Sequence, residues 1–490
     1  MSDYGFLSIL PPLIAIVLAI RTRQVFVSLG IGILFGWLII ENWNPLAGFV
    51  STADAMVDVF KNNGSTQTII FTLLMGSLIA FIQKSGGVDG FILHIEKKIK
   101  NSQTSKKKIQ LWAALTGILV FVESNISALT VGTLYRPLTD KLKISREKLA
   151  YLADSTSAPT SILIPLNAWG GFIMGLLLLQ DIEKPFLTLA RAIPLNFYPV
   201  FALALVFFII LSGKDFGPMK KAEIRAREEG KLIRDGSSPL VSSEITLMET
   251  KPGIKPRAFN MIIPIASMVL SMPVMLVFTG WGSVDSTTTE GFFRIVAEAI
   301  GQSSGSAAVM YSVLIALLVS IVLFASQRLL SLKELISTSL EGMAGMISMA
   351  LLMVLAFAIG NLCNDLGTGI YVARITESWL SPGLVPLIIF ISSCFIAFST
   401  GTSWGTFAIM IAIAVPVAQT MDTNLALAIA AALGGGVFGD HCSPISDTTM
   451  ISSMASASDH IDHVRTQIPY ALTAGIASAL LYLLLGFIMQ

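Results

Sequence analysis

Four carboxylates, Glu123, Asp154, Asp440 and Asp447, stand inside sequence that is otherwise apolar, each with small polar side chains close by. Ser124 and Asn125 follow Glu123, and Ser155, Thr156 and Ser157 follow Asp154. His441, Ser443 and Ser446 lie between Asp440 and Asp447, and Thr402 and Ser403 form a further polar pair. Hydroxyl, amide and carboxylate oxygens suit a hard cation, not a soft transition metal. A carboxylate at bilayer depth costs ~2.5 kcal/mol or more on insertion scales, which makes it a functional candidate by default. Burial favours its protonated form and a bound cation its ionised form. A site with both properties holds Na+ or H+ but seldom both, the minimum requirement for exchange. All these residues are therefore candidates for binding and coupling ions. Two alternatives stay open. Glu123 is either a proton carrier or a helix cap, and His441 either handles protons beside Asp440 or is a hydrogen-bonded part of its loop. The adjacency of His441 and Cys442 is a poor geometry for chelation, so no structural zinc is expected.

The clusters fall in two similar stretches, 121–159 and 400–444. Glu123 and Thr402 are each followed by a proline at the same spacing, Pro137 and Pro416. A second cluster in each begins with an aspartate and closes on a proline, Asp154 to Pro159 and Asp440 to Pro444.

The elements that must position them are helical and membrane-embedded. The 490-residue chain is 54% hydrophobic and 13% charged, against about 25% charged in a soluble domain. Its mean hydropathy is +0.75. A net charge of +1 argues against a nucleic-acid surface. Three scattered cysteines form neither a disulfide framework nor a zinc pattern. The N-terminus lacks a signal-peptide pattern, so residues 6–20 read as a retained first span. No nucleophile-base set or cofactor motif stands out, so the chain does not read as an enzyme and no cofactor is expected.

The positive-inside rule orients the apolar runs. Arg21 and Arg23 place the first turn inside. The stretch 109–136 has lysines and arginines at both ends and a polar break midway, which predicts a re-entrant hairpin of two arms, each too short to span. The stretch 383–419 is broken midway too, with no basic residue on its far side. Residues 149–180 and 424–455 read as spans broken at their polar clusters. Residues 213–257 carry ten Lys/Arg and read as a cytoplasmic linker, with a surface helix near 219–234. The expected fold is an all-α polytopic membrane protein of about 10 transmembrane helices plus two re-entrant hairpins. Residues 1–212 and 258–490 form two inverted repeats in this reading, with both termini outside and the ion site on discontinuous helices.

The segments T-G-T-S-W-G-T-F (400–407) and G-D-H-C-S-P-I-S-D-T-T (439–449) resemble the signature of the NhaC-type Na+/H+ antiporters of the ion transporter superfamily. E-S-N (123–125) and D-S-T-S-A-P-T (154–160) match more loosely. The resemblance implies an elevator-like cycle in a bacterial inner (plasma) membrane, with Na+ held by the Ser124-Asn125 tip and the Asp154–Ser157 break. The Thr402-Ser403 tip and the Asp440–Ser443 break would hold it in the second half. It also implies that relatives couple these ions to malate and lactate or to amino acids, and that a homodimer is a reasonable assembly. The function expected is secondary active Na+/H+ antiport. The alternative is Na+-coupled transport of a small organic anion or amino acid on the same scaffold, which the lack of a deep Arg or Lys partner disfavours.

Overall fold

The computed structural model describes residues 4–22, 24–100, 105–121, 123–165, 167–239, 250–284, 292–368, 370–371, 374 and 380–489. Of the residues used above, Arg23 lies outside the described residues, as does the side chain of Asp447. The described secondary structure is helical throughout. Nine of the described helices are long and apolar enough to cross a membrane, or ten if the bent pair Arg146–Leu163 and Ala168–Leu179 is one span. The protein is an integral multi-pass membrane protein.

The surface carries the signature of a lipid solvent. Leu472, Ile476, Leu480, Leu484 and Phe487 form an exposed apolar stripe on the last helix, His460–Ile488, and Leu270, Val274 and Phe278 do so on Phe259–Gly280. Spacings of three and four residues put each set on one helix face. In water such stripes would be buried.

The breaks fall where the sequence is polar, and local chemistry explains each. The first broken stretch folds as Lys106–Leu119 and Ser124–Lys141, with the Glu123 carboxylate accepting the Ile126 N–H at 2.7 Å as a helix cap. The second folds as Val385–Thr400 and Ser403–Thr420, its turn made by Gly401 at φ 70°, a left-handed conformation that glycine adopts without steric cost. Its arms occupy spans of 19 and 18 residues, Pro382–Thr400 and Ser403–Thr420, each long enough to cross a membrane. The expectation of about 10 spans counted these arms separately from the spans. It also took the first two helices as spans, yet Gly5–Leu18 and Phe26–Ile40 are shorter apolar helices.

Proline makes the other two breaks. Pro159 and Pro444 lack the N–H that would bond the carbonyls of Ser155 and Asp440 one turn earlier. The chain accordingly divides into Arg146–Ser155 and Ala158–Leu163, then into Leu425–Cys442 and Asp447–Ala455. Ser443, just before Pro444, is extended at ψ 134°, as the residue before a proline prefers. A further interruption at 164–167 precedes Ala168–Leu179, started by the Asn167 side chain capping Trp169 and Gly170. The linker carries the short helix Gly217–Glu228.

Leu425–Cys442 is the axis of the core. It packs along Val385–Thr400 and Ser403–Thr420 and also touches Phe197–Ser212 and His460–Ile488. Its three consecutive glycines meet three different neighbours. Gly434 faces Asn196 and Tyr482, Gly435 the Phe390 carbonyl and Ser393, and Gly436 the Phe407 ring.

Candidate functional site

Asp440 sits in the last turn before the Pro444 break, 2% exposed. Ser403, the first residue of the second arm, donates to Asp440 Oδ2 at 2.6 Å. Ser446, the cap of the helix beyond the break, donates to Oδ1 at 2.6 Å. Thr448 lies 2.9 Å from Ser446 Oγ, and Thr449 Oγ1 donates to the Asp440 carbonyl that Pro444 cannot engage. Ser443 turns the other way and ties the break to the Phe398 carbonyl at 2.7 Å. Hydroxyls from two separate pieces of chain therefore converge on one carboxylate. Thr402 caps the second arm through its backbone alone, and its carbonyl accepts from Thr406.

Asp154 occupies the equivalent place in the first half and is fully buried. Its Oδ2 accepts from Gln467 Nε2 at 2.7 Å, and His463 Nε2 lies 3.9 Å from the same oxygen. Ser157 bonds the Asp154 carbonyl and Thr156 the Leu152 carbonyl, so both hydroxyls serve the break itself. Ser155 instead reaches His441 Nε2 at 2.8 Å.

The two aspartates belong to one network. Gln467 Nε2 also donates to the His441 carbonyl, the residue next to Asp440. A carbonyl and a carboxylate are both acceptors, which fixes the amide orientation and leaves Oε1 to accept from His463 Nε2 at 2.8 Å. His463 Nδ1 meets Ser453 Oγ at 2.8 Å, Ser453 meets His460 Nδ1 at 3.0 Å, and His460 Nε2 donates to the Pro444 carbonyl at 2.7 Å. The final helix thus joins the first break to the second through Gln467, which bonds both the Asp154 carboxylate and the His441 carbonyl.

His441 is tied at both ring nitrogens, to Ser155 and, at 2.6 Å, to the Tyr198 hydroxyl. It joins the two halves as a hydrogen-bonded member of its loop. Glu123, Ser124 and Asn125 gather at the first tip, where Glu123 caps and Asn125 Oδ1 is buried without a hydrogen-bond partner. Trp169 and Trp404 pack ring to ring at 5.7 Å among Phe172 and Phe407, a packing role.

Gln467, His463, His460, Ser453 and Tyr198 are site residues that motif reading does not find. Three of the four histidines in the chain are in this network. For His460, His463 and Gln467 the signal in the sequence was the rare cluster of polar side chains opening the apolar helix 460–488.

The sequence pattern of the Na+/H+ antiporter family matches residues 171–487. A Haemophilus influenzae protein is 32% identical over 491 aligned residues, covering 98% of this chain and 91% of that protein. The malate-2H+/Na+-lactate antiporter of Bacillus subtilis is 30% identical over 132 residues, 24% of this chain and 28% of that protein. The Alcanivorax borkumensis YdaH transporter shares the fold at a TM-score of 0.56 with 13% identity, covering 90% of this chain and 89% of its own.

Proposed function

Because the chain belongs to the Na+/H+ antiporter family, we propose that this secondary transporter exchanges Na+ for H+ across the membrane by alternating access. The observation that carries this reading is the pair of buried aspartates, Asp154 and Asp440, each at a proline-made helix break and joined through Gln467. In this reading Na+ is held by carboxylate and hydroxyl oxygens of the two breaks, Asp440 with Ser403 and Ser446 foremost. Protons compete for the same carboxylates, so loading one ion discharges the other. The cycle follows from charge. A site neutralised by Na+ or H+ crosses, and an empty, doubly anionic one is held back by the cost of charge in a low dielectric.

The two halves, 1–212 and 258–490, act as inverted repeats in this mechanism. The hairpins 109–136 and 383–419 enter the membrane from opposite faces and move with the broken helices as one elevator-like body. Glu123 shapes the first tip as a cap, and Asp447 opens the helix after the second break.

The test is Asp440→Asn in proteoliposomes. It removes the charge and keeps the shape, and ΔpH-driven Na+ movement is expected to be abolished; exchange at the wild-type rate rejects the site. A second reading, Na+-coupled transport of a small carboxylate, has the Bacillus relative's malate and lactate in its favour. Against it, no lysine or arginine occurs in the polar breaks 123–127, 154–159, 402–406 or 440–448. Na+-dependent thermal stabilisation by a dicarboxylate or amino acid would favour this second reading.

A further inference from the structure

A cavity of about 450 Å³ separates the first hairpin tip from the crossing of Asn63–Lys84 with Leu332–Gly345. The crossing is tight, with the Gly342 carbonyl where a Cβ on Gly76 would stand. Beside it the polar wall consists of Glu123, Asn125, Gln83 and Glu341, and Ile79, Ala80, Ile126 and Leu129 are among its apolar residues. Asn125 Oδ1 lines this space and is buried with no hydrogen bond, a cost of about 1–3 kcal/mol unless something fills the place. Only a donor or a cation can satisfy a carbonyl oxygen. At the solvent end Glu341 is 52% exposed and pairs with Lys84 at 3.3 Å. A wall with two carboxylates, an amide oxygen and a tethered lysine at its mouth favours positive charge inside.

The size fits a particular guest. Six waters at about 30 Å³ each occupy on the order of 180 Å³, so a monovalent cation with its first water shell enters with room to spare. We propose that this cavity is a cation-recruiting vestibule: Glu341 draws a hydrated monovalent cation to the mouth, Lys84 opposes it, and Asn125 Oδ1 receives it at the hairpin tip. Charged walls around a low-dielectric cleft concentrate counter-ions and speed their entry, an effect that salt screens. The proposal rests on the exchange reading for its consequence, delivery of Na+ to the first half-site, but the vestibule's selectivity is measurable without transport.

The experiment has two arms. In the first, Ile79→Cys in a Cys394→Ser background is labelled by methanethiosulfonates of equal size and opposite charge. The cationic reagent is expected to react faster at low ionic strength, Glu341→Gln to reduce that preference, and Lys84→Gln to raise it. Equal rates, or a faster anionic reagent, overturn the vestibule whether or not the protein exchanges ions. In the second arm, the Na+ concentration for half-maximal exchange is measured in liposomes. Glu341→Gln is expected to raise it and Lys84→Gln to lower it, both shifts collapsing when choline chloride is added. Exchange that is unaffected by either variant rejects the vestibule and leaves the exchange reading intact. No Na+-dependent exchange by the wild type rejects that reading instead. Because the two substitutions act in opposite directions, loss of folding cannot mimic the result.

Discussion

Gln467→Leu removes a side chain that bonds both halves of the site while nearly keeping its length and volume. It deletes the 2.7 Å bond to the Asp154 carboxylate, the bond to the His441 carbonyl and the acceptor for His463. A hydrogen bond to a charged group is worth about 1.5–3 kcal/mol, roughly a 10- to 150-fold change in an equilibrium constant. Outer partners of metal ligands cost about 10–100-fold in ion affinity when removed. An Na+ dissociation constant raised roughly 30-fold sits inside both ranges. The assay is thermal unfolding of purified protein with and without Na+, since a ligand stabilises by RT ln(1 + [L]/Kd). At Na+ equal to 100 times the wild-type Kd that increment is about 2.7 kcal/mol, and for the variant it falls to about 0.9 kcal/mol. Gln467→Met should behave alike, because the argument needs only the loss of the amide. The reasoning would be refuted by a variant that melts lower in Na+-free buffer yet keeps the full Na+-dependent increment. That result would make Gln467 a packing residue with no hold on the ion.

Two further substitutions probe the frame that holds the site. Gly435→Ala places a Cβ 2.4 Å from the Phe390 carbonyl and 2.6 Å from Ser393 Cβ, so two packed helices must part, whereas at Gly436 the clash is with the Phe407 ring, which can tilt. Overpacking costs about 1–3 kcal/mol, and Gly435→Ala should lower the melting temperature more than Gly436→Ala; the opposite order contradicts the packing described. Lys148 is 1% exposed, pairs with Asp215 at 2.5 Å and lies over the rings of Tyr151 and Tyr470. Asp215→Ala strands that buried ammonium, at about 3–5 kcal/mol, while Lys148→Met leaves Asp215 the Tyr470 hydroxyl, so Asp215→Ala should melt at the lower temperature and equal melting would count against the pair.

The membrane class and the helix breaks were legible because both are local. Apolar run lengths are set by bilayer thickness, and a proline or a capping residue interrupts a helix wherever it stands. Glu123, Pro159 and Pro444 could be read one residue at a time. What pairs with Asp154 could not. Gln467 and His463 are more than 300 positions away and belong to a helix whose remainder is an ordinary lipid-facing stripe. The role of His441 was hidden for the same reason. Its ring nitrogens are engaged by Ser155 and Tyr198 of the first half, 286 and 243 positions away.

The two halves share a break and differ in how they hold their acid. Asp440 is gripped by Ser403 and Ser446, hydroxyls from its own half, on the second arm and just past the break. A hydroxyl can rotate to offer its lone pairs to a cation without leaving its place, so this carboxylate can trade hydrogen bonds for an ion locally. Asp154 depends on an amide from the final helix, and an amide donor cannot become a ligand by rotating a proton. Gln467 holds Oδ2, so Asp154 meets a cation through Oδ1, and any shift of the carboxylate pulls on Gln467, which is also bonded to the His441 carbonyl beside Asp440. Loading the first half-site therefore disturbs the second through a single side chain, while the second can load with no such disturbance. In the proposed exchange, Gln467 is the group through which loading at Asp154 is felt beside Asp440.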